Sequence, residues 1–99
     1  MTITTEARVS TVNGSRYLQQ LCKHWSHKLE VEFTPEHGTV KLPDGALATM
    51  SAQPETLAVH ISAPDAEILE RMKDVVARHL DRFAFREAPL AFNWQDAAA

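Results

Sequence analysis

Two stretches of the chain carry apolar residues at helical spacing, and most of the remainder alternates between apolar and polar. From Arg16 to about Lys28, Tyr17, Leu18, Leu21, Trp25 and Leu29 recur on one face, which predicts an amphipathic helix with Cys22 at the edge of its stripe. Asn13-Gly14-Ser15 supplies turn and N-cap chemistry just before it. A second, longer helix is predicted after Ser62-Ala63-Pro64-Asp65, with Ser62 or Asp65 as its cap. Ile68, Leu69, Met72, Val75, Val76, His79, Leu80 and Phe83 form its apolar face. Acidic residues (Asp65, Glu67, Glu70) gather at its start, and Arg78 and Arg82 at its end, the arrangement that the helix dipole favours.

Between the helices the period drops to two. Leu29, Val31 and Phe33 alternate with Glu30, Glu32 and Thr34; Val40 and Leu42 alternate with Thr39 and Lys41. A four-residue turn at Pro35-Glu36-His37-Gly38 is expected to pair Phe33 with Val40 and Glu32 with Lys41. Pro43-Asp44-Gly45 fits a three-residue hairpin loop that pairs Val40 with Ala48 and sets Ala46, Ala48, Met50 and Ala52 on the core side. A hairpin at Pro54-Glu55 pairs Met50 with Val59 and Ala52 with Leu57. The polar face of this meander then carries Glu32, Lys41, Thr49, Ser51 and His60.

A weaker alternation, Ala7, Val9 and Thr11 against Arg8, Ser10 and Val12, predicts a first strand. Leu90, Phe92 and Trp94 after Pro89 predict a last extended segment. The order β-α-β-β-β-β-α-β is that of an α+β, two-layer α/β sandwich, with two helices on one face of a mostly antiparallel sheet. A single domain over 1–96 and a frayed tail at 97–99 are expected, since 99 residues leave no room for a second core.

Charge and composition then narrow the chemistry. Ten basic and thirteen acidic side chains give a net charge of -3, which argues against a dedicated nucleic-acid binder. The aromatics Trp25, Phe83, Phe85, Phe92 and Trp94 are accordingly read as core, or as cover for a dimer interface, rather than as base-stacking platforms. One cysteine excludes an intrachain disulfide. No apolar run reaches the length of a membrane span and the first residues lack a secretory pattern, so the expected location is cytoplasmic.

Several stretches carry a family resemblance: Arg16-Tyr17-Leu18, Leu21-Cys22-Lys23-His24-Trp25, His27-Lys28, and the run from Val75 to Glu87 that includes His79-Leu80-Asp81-Arg82-Phe83-Ala84-Phe85-Arg86. They resemble the bacterial family known as domain of unknown function 2218 over nearly the whole chain. Relatives look like small stand-alone proteins, and some resemble a domain joined to siderophore-interacting, flavin-dependent ferric reductases. The resemblance therefore implies an accessory role near iron or siderophore handling, with a metal chelate or a ferric-reductase-like protein as partner, and brings no catalytic residues.

Candidate chemistry concentrates on the helices. His24 and His27 are three apart on the first helix and His79 lies on the second; if the helices adjoin, His79 can reach His24, and that pair is the metal-ligand candidate. Its alternative is a core histidine at position 79, bonded to a backbone carbonyl. Cys22 and His24, two apart, point to different sides and cannot chelate together. Arg16, Gln20, Lys23 and His27 follow one face of the first helix, and no acidic residue interrupts from Asn13 through Leu29. Such a stripe suits an anionic ligand or an acidic partner and competes with a plain solvated face. The candidate binding set is Arg16, Lys23, His24, His27, His79 and Arg82. Thr49 opposite His60, with Ser51 nearby, brings a hydroxyl beside a base, but a flat sheet face lacks an oriented base and an oxyanion site. No cofactor loop is present, and Gly14, Gly38 and Gly45 are each assigned to turns. A binding or accessory domain is favoured over a homodimeric interaction module, and an enzyme is favoured least.

Overall fold

In a computed structural model, which describes residues 2–98 and side chains as far as Asp96, two helices cover one face of a six-stranded antiparallel sheet. Strand β1 (Ile3–Ser10) leads into helix α1 (Gly14–Trp25). The meander follows as β2 (Glu30–Phe33), β3 (His37–Lys41), β4 (Leu47–Gln53) and β5 (Thr56–Ala63); helix α2 (Ala66–Phe83) and β6 (Gln95–Ala98) close the chain. The sheet order is β2-β3-β4-β5-β1-β6. The first strand thus lies inside the sheet, between β5 and the last strand.

Alternation decides which face the helices cover. Val9, Val40, Ala48, Met50, Leu57, Val59 and Ile61 point inward and are buried, against Leu18, Leu21, Trp25, Leu69, Met72, Val76 and Leu80 from the helices. Asp65 caps α2, its carboxylate accepting from the Ile68 N–H at 2.9 Å. The two later hairpins have the expected register: Val40 pairs with Ala48, Met50 with Val59, Ala52 with Leu57 and Thr49 with His60. Asp44 and Gly45 both take positive φ, 61° and 80°, in the three-residue loop.

Several expectations are corrected. Val31, not Phe33, faces Val40, and Phe33 faces Gly38, so the first hairpin closes through a two-residue Pro35-Glu36 loop and is shifted by two residues. Thr34 tightens that loop: its N–H donates to the His37 carbonyl, and its hydroxyl accepts from the N–H groups of Glu36 and His37. The shift sets Lys41 opposite Glu30, 2.6 Å apart as an ion pair, in place of Glu32. Gly38 is accordingly a buried strand residue rather than a turn residue.

Helix α1 stops at Trp25, where the Ser26 hydroxyl donates back to the Lys23 carbonyl, so His27 lies in the following turn and not on the helix. Phe92 and Trp94 pack against the core from irregular chain, their rings stacked 5.4 Å apart, and the last strand comes after them. Ala97 and Ala98 pair with Thr4 and Ile3, and so belong to the sheet rather than to a tail; Ala99 lies outside the described residues. Asp96 anchors β6 to both layers, accepting from the Thr5 hydroxyl at 2.6 Å and pairing with Lys73 of α2 at 2.8 Å.

Candidate functional site

Helix α1 and the second half of α2 lie side by side on the sheet, and their meeting edge gathers most of the residues singled out by the sequence. The His24 and His79 rings come within 5.9 Å, His24 reaches Phe83 at the same distance, and Trp25 sits 5.1 Å from His79. The His79 Nδ1 lies 2.6 Å from the Val75 carbonyl. A carbonyl oxygen only accepts, so this nitrogen carries a hydrogen, which leaves Nε2 as the open position of the neutral ring. The half-buried His79 is thus fixed by its own helix, while His24 is exposed. Among the described residues, no three His, Cys, Asp or Glu side chains gather closely enough to hold a metal ion. His24 and His79 are a pair without a third protein ligand, fewer than transition-metal centres commonly use.

Cys22 is fully buried, and burial pushes its thiol up to about 11. It packs over Gly38, where an added Cβ would lie 2.8 Å from its Sγ. A thiol so placed is inert filler. On the opposite sheet face, neither the Thr49 nor the Ser51 hydroxyl bonds an imidazole, so the hydroxyl–base pairing drawn from the register is not made.

A residue outside the candidate set organises the end of the helical edge. Glu87, in the turn after α2, accepts from the Tyr17 hydroxyl, from Thr11 Oγ1 at 3.0 Å and from Asn13 Nδ2 at 3.2 Å. It staples the start of α1 to the exit of α2 across a cleft of about 420 Å³, lined by Asn13, Arg16, Tyr17, Gln20, Phe83, Phe85, Arg86 and Glu87. Burial, and then the neighbouring carboxylate, raises the Tyr17 phenol above its ordinary range. The Tyr17 hydroxyl above all, then Asn13 and Thr11, holds the Glu87 carboxyl below the usual carboxylate range. Both partners lie in stretches that carry the family resemblance, but the isolated sequence offers no sign that they meet.

The sign of that shift makes a prediction. A carboxylate depressed in the folded state stabilises it above the ordinary glutamate range, and loses that contribution as the pH falls through the depressed value. Glu87→Gln should therefore be less stable than the parent at neutral pH, and the gap should close below about pH 4. Urea melts at a series of pH values measure it, and a gap that persists unchanged into acid contradicts the assignment.

The cations of the chain divide into two sets. Arg8, Lys41, Arg71, Lys73 and Arg78 form ion pairs. Among the described residues, Arg16, Lys23, Lys28, Arg82 and Arg86 form none, and Arg86 lies over the Phe85 ring at 5.7 Å. Every member of the second set is exposed and lies on α1, in its exit turn, or at the end of α2 and just beyond. Arg16 and Arg86 line the same cleft. A wider hollow of about 520 Å³ beside β1 and β6 contains Arg8, but there Glu6 neutralises it at 3.3 Å.

Of the residues expected to bind, His24 and His79 meet between the helices and Arg16 lines the cleft, whereas Lys23 is an exposed residue of α1, Arg82 an exposed residue of α2, and His27 lies in the turn after α1. Arg86 and Glu87 join Arg16 at the cleft.

Comparison with known proteins agrees with the fold. The model of an uncharacterised protein family conserved in bacteria, DUF2218, matches residues 6–95. The NMR structure of PA4090 from Pseudomonas aeruginosa is similar, with a TM-score of 0.74 and 40% identity over 96% of each chain. No curated protein matches. No helix among the described residues is long and apolar enough to cross a membrane.

Proposed function

The chain belongs to the DUF2218 family of uncharacterised bacterial proteins, and from its own surface we propose that it is a binding module, not a catalyst, which holds an anionic ligand on the edge formed by α1 and the end of α2. What supports this is the segregation of charge. In a protein of net charge -3, the cations without an acidic partner among the described residues all lie on α1, in its exit turn, or at the end of α2 and just beyond. An exposed cation already paired has little left to offer an incoming anion, whereas unpaired cations along one cleft raise the local concentration of anions. Glu87 offsets one of the two positive charges that Arg16 and Arg86 bring to the cleft, which therefore keeps a net positive balance. Phe83 and Phe85 give the cleft an apolar wall, so the fitting ligand joins carboxylates or comparable anionic groups to apolar surface.

The family's likeness to domains of siderophore-interacting ferric reductases makes a carboxylate chelate of ferric iron the first ligand to try. His24 and His79 would then face an incoming complex rather than build a metal site alone. For a homodimer through the bare sheet face there is less support, since that face carries Glu6, Arg8, Glu30, Glu32 and Lys41.

Calorimetric titration with citrate, and in parallel with ferric citrate, tests the proposal. The wild-type chain should bind, more weakly as salt is raised. The double variant Arg16→Glu with Arg86→Glu should lose at least about tenfold in affinity, and Arg78→Glu, whose side chain is already paired with Asp74, should lose nothing comparable. If ferric citrate binds more tightly than citrate and only this gain disappears in His24→Ala, the iron association is supported. Absence of binding to either ligand, or equal losses in all variants, would rule the proposal out.

A further inference from the structure

Resting on the anion-binding reading above, we infer that the anionic groups arrive on a polypeptide: the corner around Glu87 is a docking surface for an acidic segment with an apolar side chain. The observation is where the protein leaves large apolar side chains uncovered. Val12 is 74% exposed and Phe85 71% exposed, the two large hydrophobics so placed among the described residues. They come from opposite ends of the chain, yet the same carboxylate joins their segments. Val12 stands between Thr11 and Asn13, both of which donate to Glu87, and Phe85 lies two residues before it.

Guanidinium groups unpaired among the described residues stand beside Phe85. Arg86 lies over the Phe85 ring, and Arg16 lines the adjoining cleft. Exposed aromatic and arginine side chains in one patch are the residue types that dominate binding energy at protein interfaces. A small anion seated between Arg16 and Arg86 would leave Val12 uncovered, because Val12 is not among the residues that line the cleft. A polypeptide can satisfy both parts, with carboxylates on the arginines and an aliphatic or aromatic side chain against Val12 and Phe85. Two apolar side chains are too few to insert into a bilayer, and the net charge of -3 opposes an anionic membrane.

The test uses a short blocked peptide of alternating glutamate and leucine, labelled for fluorescence anisotropy, with citrate and phosphatidylserine vesicles as the other probes. The peptide should bind more tightly than citrate. Val12→Ser, outside the cleft, should weaken the peptide by at least about fivefold and leave citrate unchanged; Phe85→Ser should weaken the peptide more than citrate, and Arg16→Glu with Arg86→Glu should weaken both. Because positions 12 and 85 are exposed, these variants should keep the parent's amide spectrum, which separates lost binding from lost folding. A peptide that binds no better than citrate overturns this inference and leaves the anion-binding proposal standing; failure of both probes removes both. Vesicle binding that depends on Val12 and Phe85, without peptide binding, replaces the polypeptide with a membrane surface and likewise overturns it.

Discussion

Leu18→Ala is expected to cost about 2–5 kcal/mol, the loss of a fully buried leucine whose surroundings cannot collapse. Leu18 is fully buried where α1 meets the sheet, and Gly38 of β3 lets it approach closely, since a Cβ there would lie 3.4 Å from Leu18 Cδ2. Truncation removes buried apolar surface and leaves a space bounded by helix above and strand below, neither of which collapses freely. Domains of this size are stable by about 5–15 kcal/mol in total, and each kcal/mol moves Tm by roughly 4–8 °C. Tm should therefore fall by about 8 °C or more. Gln20→Ala, on the exposed side of the same helix, should change stability by no more than about 0.5 kcal/mol. Thermal melts followed by circular dichroism compare the two, and similar shifts would mean that α1 does not bury this face.

Gly38→Ala should come next, at about 1–3 kcal/mol, and it should depend on Cys22. The added methyl would sit 2.8 Å from the Cys22 Sγ, so either the thiol rotates out of its packing or the helix lifts from β3. Cys22→Ala removes the obstructing atom. The double variant should then be more stable than the sum of the single losses predicts, with a coupling of about 0.5–3 kcal/mol. Strictly additive losses in urea denaturation would show that the two residues are not in contact, and with them the shifted β2–β3 register would fail.

That register marks where local pattern stops being sufficient. A proline followed by glutamate closes a two-residue loop at both Pro35-Glu36 and Pro54-Glu55. At the second, polar residues frame the pair and the turn is legible. At the first, His37 and Gly38 extend the turn-like composition, and a glycine there reads as part of the loop. Its actual role, giving room to Cys22 and Leu18 from a helix earlier in the chain, is a tertiary fact with no local trace. The helical period runs past the end of α1 for a related reason. Leu29 continues the helical period beyond Trp25, but it packs against the core from the turn. The last strand, Gln95–Ala98, shows no alternation at all. Its ladder to β1 and the Asp96 contacts to Thr5 and Lys73 hold it instead.

The candidate site was legible in part. The acid-free run from Asn13 through Leu29 marks α1 as a basic element, and the condition set for His79 to reach His24, that the two helices adjoin, is met, with the rings 5.9 Å apart. The staple could not be read, since Tyr17 and Glu87 are seventy residues apart in the chain. Nor could the division of cations, because pairing depends on which carboxylates the fold brings near. Arg78 is neutralised by Asp74 one turn earlier, whereas Arg82, a turn later, has no such partner among the described residues.

The central claim is that the helical edge, and not the open sheet face, is the working surface. Amide shift mapping of the isotope-labelled protein during a citrate titration tests it most directly. Shifts confined to residues 13–20 and 83–87, absent in the Arg16→Glu and Arg86→Glu double variant, are the predicted result. Shifts centred on Thr39, Thr49 and His60 across the sheet, with the helical edge silent, would contradict it.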